Sequence, residues 1–199
     1  MAAAKIWVPN KDSVYVIAEI ISEDGDSFII GDGQKVPKSK SHLLDPSHLL
    51  DLRDLCHMNS LHEAPLLDML RRRLLDGTIY TNTGNVLISI NPYKTIPGLY
   101  ENPVLYLDLP DDGDEEDDEQ GVVESSPTGG NTLPPHVFKI GNNALRALMR
   151  EQRNVGTAPA NHHHRINQSV IISGESGAGK TEASKHVMSF LIEANELQC

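Results

Sequence analysis

The residues with the clearest chemistry are Gly174-Glu175-Ser176-Gly177-Ala178-Gly179-Lys180-Thr181, which meet the pattern G-x-x-x-x-G-K-[ST] in full. Glycines at positions 174, 177 and 179 let backbone amides turn inward and approach phosphate oxygens without obstruction by a Cβ. A helix starting directly after such a loop adds the positive end of its dipole. In that geometry Lys180 reaches the β- and γ-phosphates of a nucleotide as a compact charge, and the Thr181 hydroxyl is a ligand for Mg²⁺.

The flanks fit this chemistry. Ser169-Val170-Ile171-Ile172-Ser173 predicts a short buried strand entering the loop, and residues 180–195 predict a helix with Val187, Met188, Leu191 and Ile192 facing inward. Phosphoryl transfer also needs a second Mg²⁺-side acid and a water-positioning element. Only 18 residues follow Thr181, so these parts are expected beyond Cys199, and the chain taken alone is not expected to complete catalysis.

Elements upstream must position the loop. Ile6-Trp7-Val8, residues 14–21 and residues 27–30 predict short strands, with the turn at Ser22-Glu23-Asp24-Gly25-Asp26. Asp45-Pro46-Ser47 can start a short helix through His48, Leu49, Leu52 and Leu55. Ser60 with Glu63 forms a capping-box pattern ahead of Leu66, Leu67, Leu70 and Leu74, and Gly77 stops that helix. Residues 78–82 and 85–90 predict a hairpin through Thr83-Gly84, whose nearly all-apolar second strand wants cover on both faces before Asn91-Pro92 ends it. Val137, Ile140, Ala144, Leu145 and Leu148 mark another helix, over residues 136–150.

Several of these segments, in this order, resemble the myosin motor head. Gly174-Glu175-Ser176-Gly177-Ala178-Gly179-Lys180-Thr181-Glu182 is similar to its P-loop. Asn91-Pro92-Tyr93-Lys94, with Ile96-Pro97 and Tyr100, resembles its adenine-binding loop. Pro134-Pro135-His136-Val137-Phe138 looks like the start of the next helix, and Asn167-Gln168-Ser169-Val170-Ile171-Ile172-Ser173 like the strand into the P-loop. Residues 52–59 and 77–84 fit the upstream pattern, and residues 6–30, with Trp7-Val8-Pro9, look like the SH3-like β module that precedes many myosin heads. One departure is that Gly98-Leu99 separates Pro97 from Tyr100, where the family commonly has a single residue.

The resemblance implies an α/β fold: a P-loop NTPase motor core, here an incomplete mixed sheet with flanking helices, preceded by the SH3-like module. The module is expected over residues 1–45 and the motor part over 46–199, with a disordered acidic insertion at 110–135. It implies that Asn91, Pro92 and Tyr100 receive the base, that residues 174–181 bind the phosphates of ATP with Mg²⁺ on Thr181, and that Ser176 faces the γ-phosphate. It further implies actin filaments as partner through regions outside this chain, actin-activated ATPase activity of the intact protein, and a cytoplasmic, cytoskeletal location. Another P-loop NTPase, such as a kinesin-like motor or a small-molecule kinase, does not explain the Asn91 segment. The competing reading is a non-catalytic, partner-binding fragment with a vestigial nucleotide loop.

Composition sets limits on the remainder. Hydrophobic residues make up 39% and charged residues 23% of the 199 residues, and no apolar run reaches the ~20 residues of a membrane helix. Two cysteines, Cys56 and Cys199, fit a reducing compartment. The net charge of -11 argues against nucleic-acid binding, and much of it lies in residues 111–119, eight acids and one glycine. His162-His163-His164 reads as a solvated loop, Asn167-Gln168-Ser169 is discounted as a glycosylation acceptor, and Arg71-Arg72-Arg73 reads as the polar side of a helix.

Overall fold

The computed structural model describes residues 4–107, 133–155 and 167–198. The acidic run at 111–119, most of the expected insertion, the histidine triplet and Cys199 lie outside the described residues. The chain divides into two compact units, Met1–Ile88 and Ser89–Cys199.

In the first unit, β1 (Lys5–Asn10), β2 (Val14–Asp24), β3 (Ser27–Ile30), β4 (Lys35–Pro37) and β5 (His42–Leu43) form an antiparallel sheet in the order β4-β3-β2-β1-β5. The pleat sends Ile6 and Val8 to one face, where they and Ile30 gather Val16, Ala18, Ile20, Phe28 and Val36 into a core. Trp7, on the opposite face, is buried as well, and its Nε1 donates to His48 Nδ1 at 3.1 Å. The Asp45 amide donates to the same nitrogen at 3.2 Å, so His48 carries its proton on Nε2, within 2.9 Å of the Asn59 carbonyl.

Several local expectations shift. The residues expected to turn at 22–24 stay in β2, because Gly25, at φ 58°, needs only Asp26 beside it to reverse the chain. The helix expected from Asp45 to Leu55 is two separate 3-10 turns, Pro46–Leu49 and Leu55–His57, each started by an aspartate that accepts an amide at 2.8 Å. The Ser60 capping box does not form. Ser60 has φ 48°, α1 (Glu63–Leu75) begins after His62, and the Glu63 carboxylate accepts from the Tyr15 hydroxyl at 3.1 Å instead.

Gly77 does end α1, at φ 80°, with the Thr78 amide reaching the Arg73 carbonyl at 2.8 Å. Arg73 is not on a polar face: it is 5% exposed and donates to Thr81 Oγ1, the Tyr80 carbonyl and Asp51 Oδ1. The hairpin of β6 (Tyr80–Thr83) and β7 (Val86–Ser89) turns at Gly84-Asn85, one residue later than expected. Among the described residues β7 is not covered on both faces, since Val86 is exposed.

Among its described residues the second unit holds a 3-10 turn, Pro103–Tyr106, and two helices, α2 (Val137–Val155) and α3 (Lys180–Gln198). The helices meet at Gly141 and Phe190. A Cβ built on Gly141 would stand 2.7 Å from Phe190 Cδ1, and Phe190 is fully buried, stacked on Phe138 at 5.3 Å. The strand expected at 169–173 does not form: none of the described residues pairs with it, and Ile171 is 89% exposed. Apolar content alone makes no strand without a neighbour's backbone to satisfy it. The mixed sheet is likewise not among the described residues, where the one parallel pairing is an isolated bridge, Asp54 with Asn82.

The Gly141 contact decides the sign of a substitution. Alanine normally gains about 1 kcal/mol over glycine inside a helix, but forcing a methyl into a closed ring contact costs about 1–3 kcal/mol. Gly141→Ala is therefore expected to lower the thermal midpoint by roughly a few degrees. An unchanged or raised midpoint in a melting curve would show that the helices separate freely there.

Candidate functional site

The Gly-rich loop leads into α3 without a break. Gly177 and Gly179 sit at φ 80° and 93°, which L side chains rarely adopt, so the bend of the loop demands glycine at both. A Cβ on Gly174 would come within 3.1 Å of the Ala178 Cβ, and the Ala178 amide closes the turn on the Glu175 carbonyl at 3.2 Å. The Gly179 carbonyl accepts the Ala183 amide at 2.9 Å, which starts the helical ladder. The first amides of α3, at Lys180 and Thr181, have no intrahelical acceptor. Thr181 and Ser176 are exposed beside them.

Two side chains take up the loop's carbonyls. Lys180 Nζ donates to the carbonyls of Gly174 at 2.8 Å and Glu175 at 2.7 Å. Asn91 Nδ2 donates to the Gly177 carbonyl at 2.8 Å, across 86 residues of sequence. The other end of the same amide, Asn91 Oδ1, accepts the Tyr93 amide at 2.9 Å. That turn holds Tyr93 at φ 51° and 85% exposed, and a Cβ on Gly177 would lie 3.8 Å from its hydroxyl.

Asn91, named from sequence as a base-side residue, is thus placed directly on the phosphate loop. Pro92 follows it, half-buried. Tyr93 has no sequence signal beyond its place in the Asn91-Pro92-Tyr93-Lys94 segment.

Tyr100 stands in a group of rings instead. It stacks on His186 of α3 with centroids 3.5 Å apart and planes 9° from parallel, with His136 and Phe138 at 5.5 and 6.0 Å. His136 is 2% exposed, and its Nδ1 accepts the Phe138 amide at 3.1 Å, close to the start of α2. Burial, opposed by the Leu99 carbonyl and reinforced by His186, pushes its pKa down to about 4. Burial also lowers the His186 pKa, against the Glu182 carboxylate and with Lys185, which is itself paired to Glu182 at 2.7 Å.

Among the described residues no group of three or more metal-ligating side chains occurs, and no helix is long and apolar enough to cross a membrane. The site fits a polyphosphate with one hydroxyl-bound cation. Its bends at Gly177 and Gly179 need the positive φ of glycine, the carbonyls of Gly174, Glu175 and Gly177 are engaged, and Thr181 offers a single oxygen at the helix start.

The profile of the myosin head (motor domain) family matches residues 52–198, most of the chain. The chain belongs to the myosin head family. It is 32% identical over 193 residues to Myosin-15 of Arabidopsis thaliana, covering 94% of this chain and 11% of that protein. It is 30% identical over 200 residues to unconventional myosin-Va of Homo sapiens, covering 94% and 9%. With the Myosin-H heavy chain of Dictyostelium discoideum the identity is 29% over 199 residues, covering 96% and 9%. The chain spans about a tenth of the length of these relatives. Within the myosin head, the matched residues take in both Asn91 and the Gly-rich loop bonded to it.

The Asn91 bond is open to a direct test. Asn91→Asp replaces the donor facing the Gly177 carbonyl with an acceptor and adds negative charge beside an anion site. Losing one hydrogen bond costs about 1 kcal/mol, so triphosphate affinity is expected to fall by roughly fivefold or more. Titration calorimetry with inorganic tripolyphosphate reads this, and an affinity equal to that of the parent would rule out the coupling.

Proposed function

We propose that this chain is the ATP-binding portion of an actin-based motor, in which the intact protein couples ATP hydrolysis to movement along actin filaments. The observation that carries the reading is the Gly-rich loop with its carbonyls bonded to Lys180 and Asn91, on a chain of the myosin head family. Carbonyl oxygens repel phosphate. Whatever Lys180 does, the Gly177 carbonyl stays with Asn91 and that of Glu175 with the Ala178 amide, which favours amides and the α3 dipole as the groups that meet an anion.

In this reading Gly174, Glu175, Ser176, Gly177, Ala178 and Gly179 supply the backbone of the cradle. Lys180 exchanges its two loop carbonyls for phosphate oxygens, a gain because a hydrogen bond between opposite charges is about twice as strong as one to a neutral carbonyl. Ser176 lies toward the γ-phosphate, and the Thr181 hydroxyl holds Mg²⁺, whose chemistry there is to offset charge on the phosphate oxygens. Asn91 and Pro92 border the base with Tyr100. The family likeness supports a P-loop NTPase core over residues 46–199 and an SH3-like module over residues 1–45, and with them a place on the cytoskeleton in the cytoplasm.

Lys180→Ala tests the reading in the intact protein. Removing a charged donor from phosphate costs about 1.5–3 kcal/mol, so affinity for a fluorescent ATP analogue is expected to fall roughly 10–100-fold, and actin-stimulated turnover with it. Unchanged affinity and turnover would overturn the assignment.

A further inference from the structure

The base-side loop and the phosphate-loop helix are joined at one more point. Tyr100 lies face to face with His186, at a centroid distance of 3.5 Å and 9° between planes, the closest and flattest ring contact among the described residues. His186 sits on α3 between Lys185 and Val187, one turn after Glu182 and six residues after Lys180. Lys180 and His186 therefore belong to one rigid helix. Anything that fixes the start of α3 also fixes the plane on which Tyr100 rests.

The surroundings hold that plane in place. His136 and Phe138, at the start of α2, approach Tyr100 from their own element, and Phe138 stacks in turn on Phe190, the next inward ring of α3 after His186. On its own helix, Glu182, paired to Lys185 at 2.7 Å, acts on the imidazole as a nearby charge. Its packing partner is the Tyr100 ring. A flat side chain meets this need, and a branched aliphatic chain of similar size does not.

We infer that His186 is a positioning residue for base recognition: by stacking beneath Tyr100 it sets the ring that meets the base, and so ties base binding to the phosphate loop. This rests on the proposed reading of residues 174–181 as a nucleotide site and of Tyr100 as a base-side ring. The residue does not touch phosphate, and its effect appears only with ligands that carry a base. Stacking of this kind contributes about 0.5–1.5 kcal/mol, or roughly a 2–10-fold difference in affinity.

The test compares ATP with inorganic tripolyphosphate, which has the phosphates and no base, by calorimetry on the intact protein and its variants. His186→Leu, which fills the space but cannot stack, is expected to lose roughly 2–10-fold in affinity for ATP and nothing for tripolyphosphate. His186→Phe, which keeps a flat ring, is expected to restore ATP affinity. Thermal melts of both variants show that each is folded. If His186→Leu weakens both ligands equally, or neither, or if His186→Phe fails to rescue a folded protein, the positioning role is wrong while the phosphate site stands. If the parent binds neither ligand, the phosphate-loop reading falls and this inference falls with it.

Discussion

The hydrogen bond from Asn91 to the Gly177 carbonyl, together with the two bonds from Lys180, is the constraint on which the site depends. A tight glycine loop exposes donors and acceptors alike, and only the donors, with the α3 dipole behind them, favour an anion. In the proposed reading, the Asn91 amide and, until phosphate binds, the Lys180 ammonium take up carbonyls that would otherwise repel phosphate. The same bond brings residues 91–93 alongside Gly177 and Gly179, so the segment that follows the hairpin and the loop that opens α3 act as one body.

The second unit is organised to keep that body still. α3 cannot shift without displacing Phe190 from Phe138, and α2 approaches so closely that position 141 has room for hydrogen only. His136 contributes by accepting the Phe138 amide from inside this apolar group. Its low pKa is a consequence: the buried, accepting imidazole resists protonation, and acidification from the ordinary value of 6.5 down to about 4 works against the fold. The first unit keeps its own core, with Trp7 and His48 joined on one side of the sheet and Ile6, Val8 and Ile30 on the other.

What the sequence made legible was whatever local pattern determines. The glycine bends, the start of α3 at Lys180, the end of α1 at Gly77 and the strands around Trp7 and Ile29 all follow from spacing and residue type. Features set by distant partners were not legible. Arg73 looked like a surface cation because Thr81, Tyr80 and Asp51, which bury it, lie in other elements. Ser60 does not cap α1 because it sits at φ 48° and the helix begins only after His62. Residues 169–173 carry strand-like apolarity, but a ladder needs a neighbour that no local pattern supplies. For the same reason local pattern assigns no role to Tyr93 or His186, since each matters through what it touches across the fold.

The claim that residues 91–93 and 174–182 form a single anion-binding body is most directly tested by amide hydrogen exchange on the intact protein with and without Mg²⁺ and ATP. Slowed exchange is expected in both segments together, at the same ligand concentration, and tripolyphosphate alone is expected to protect both. Protection of the Gly-rich loop with no change at residues 91–93, or no protection of either, would contradict it.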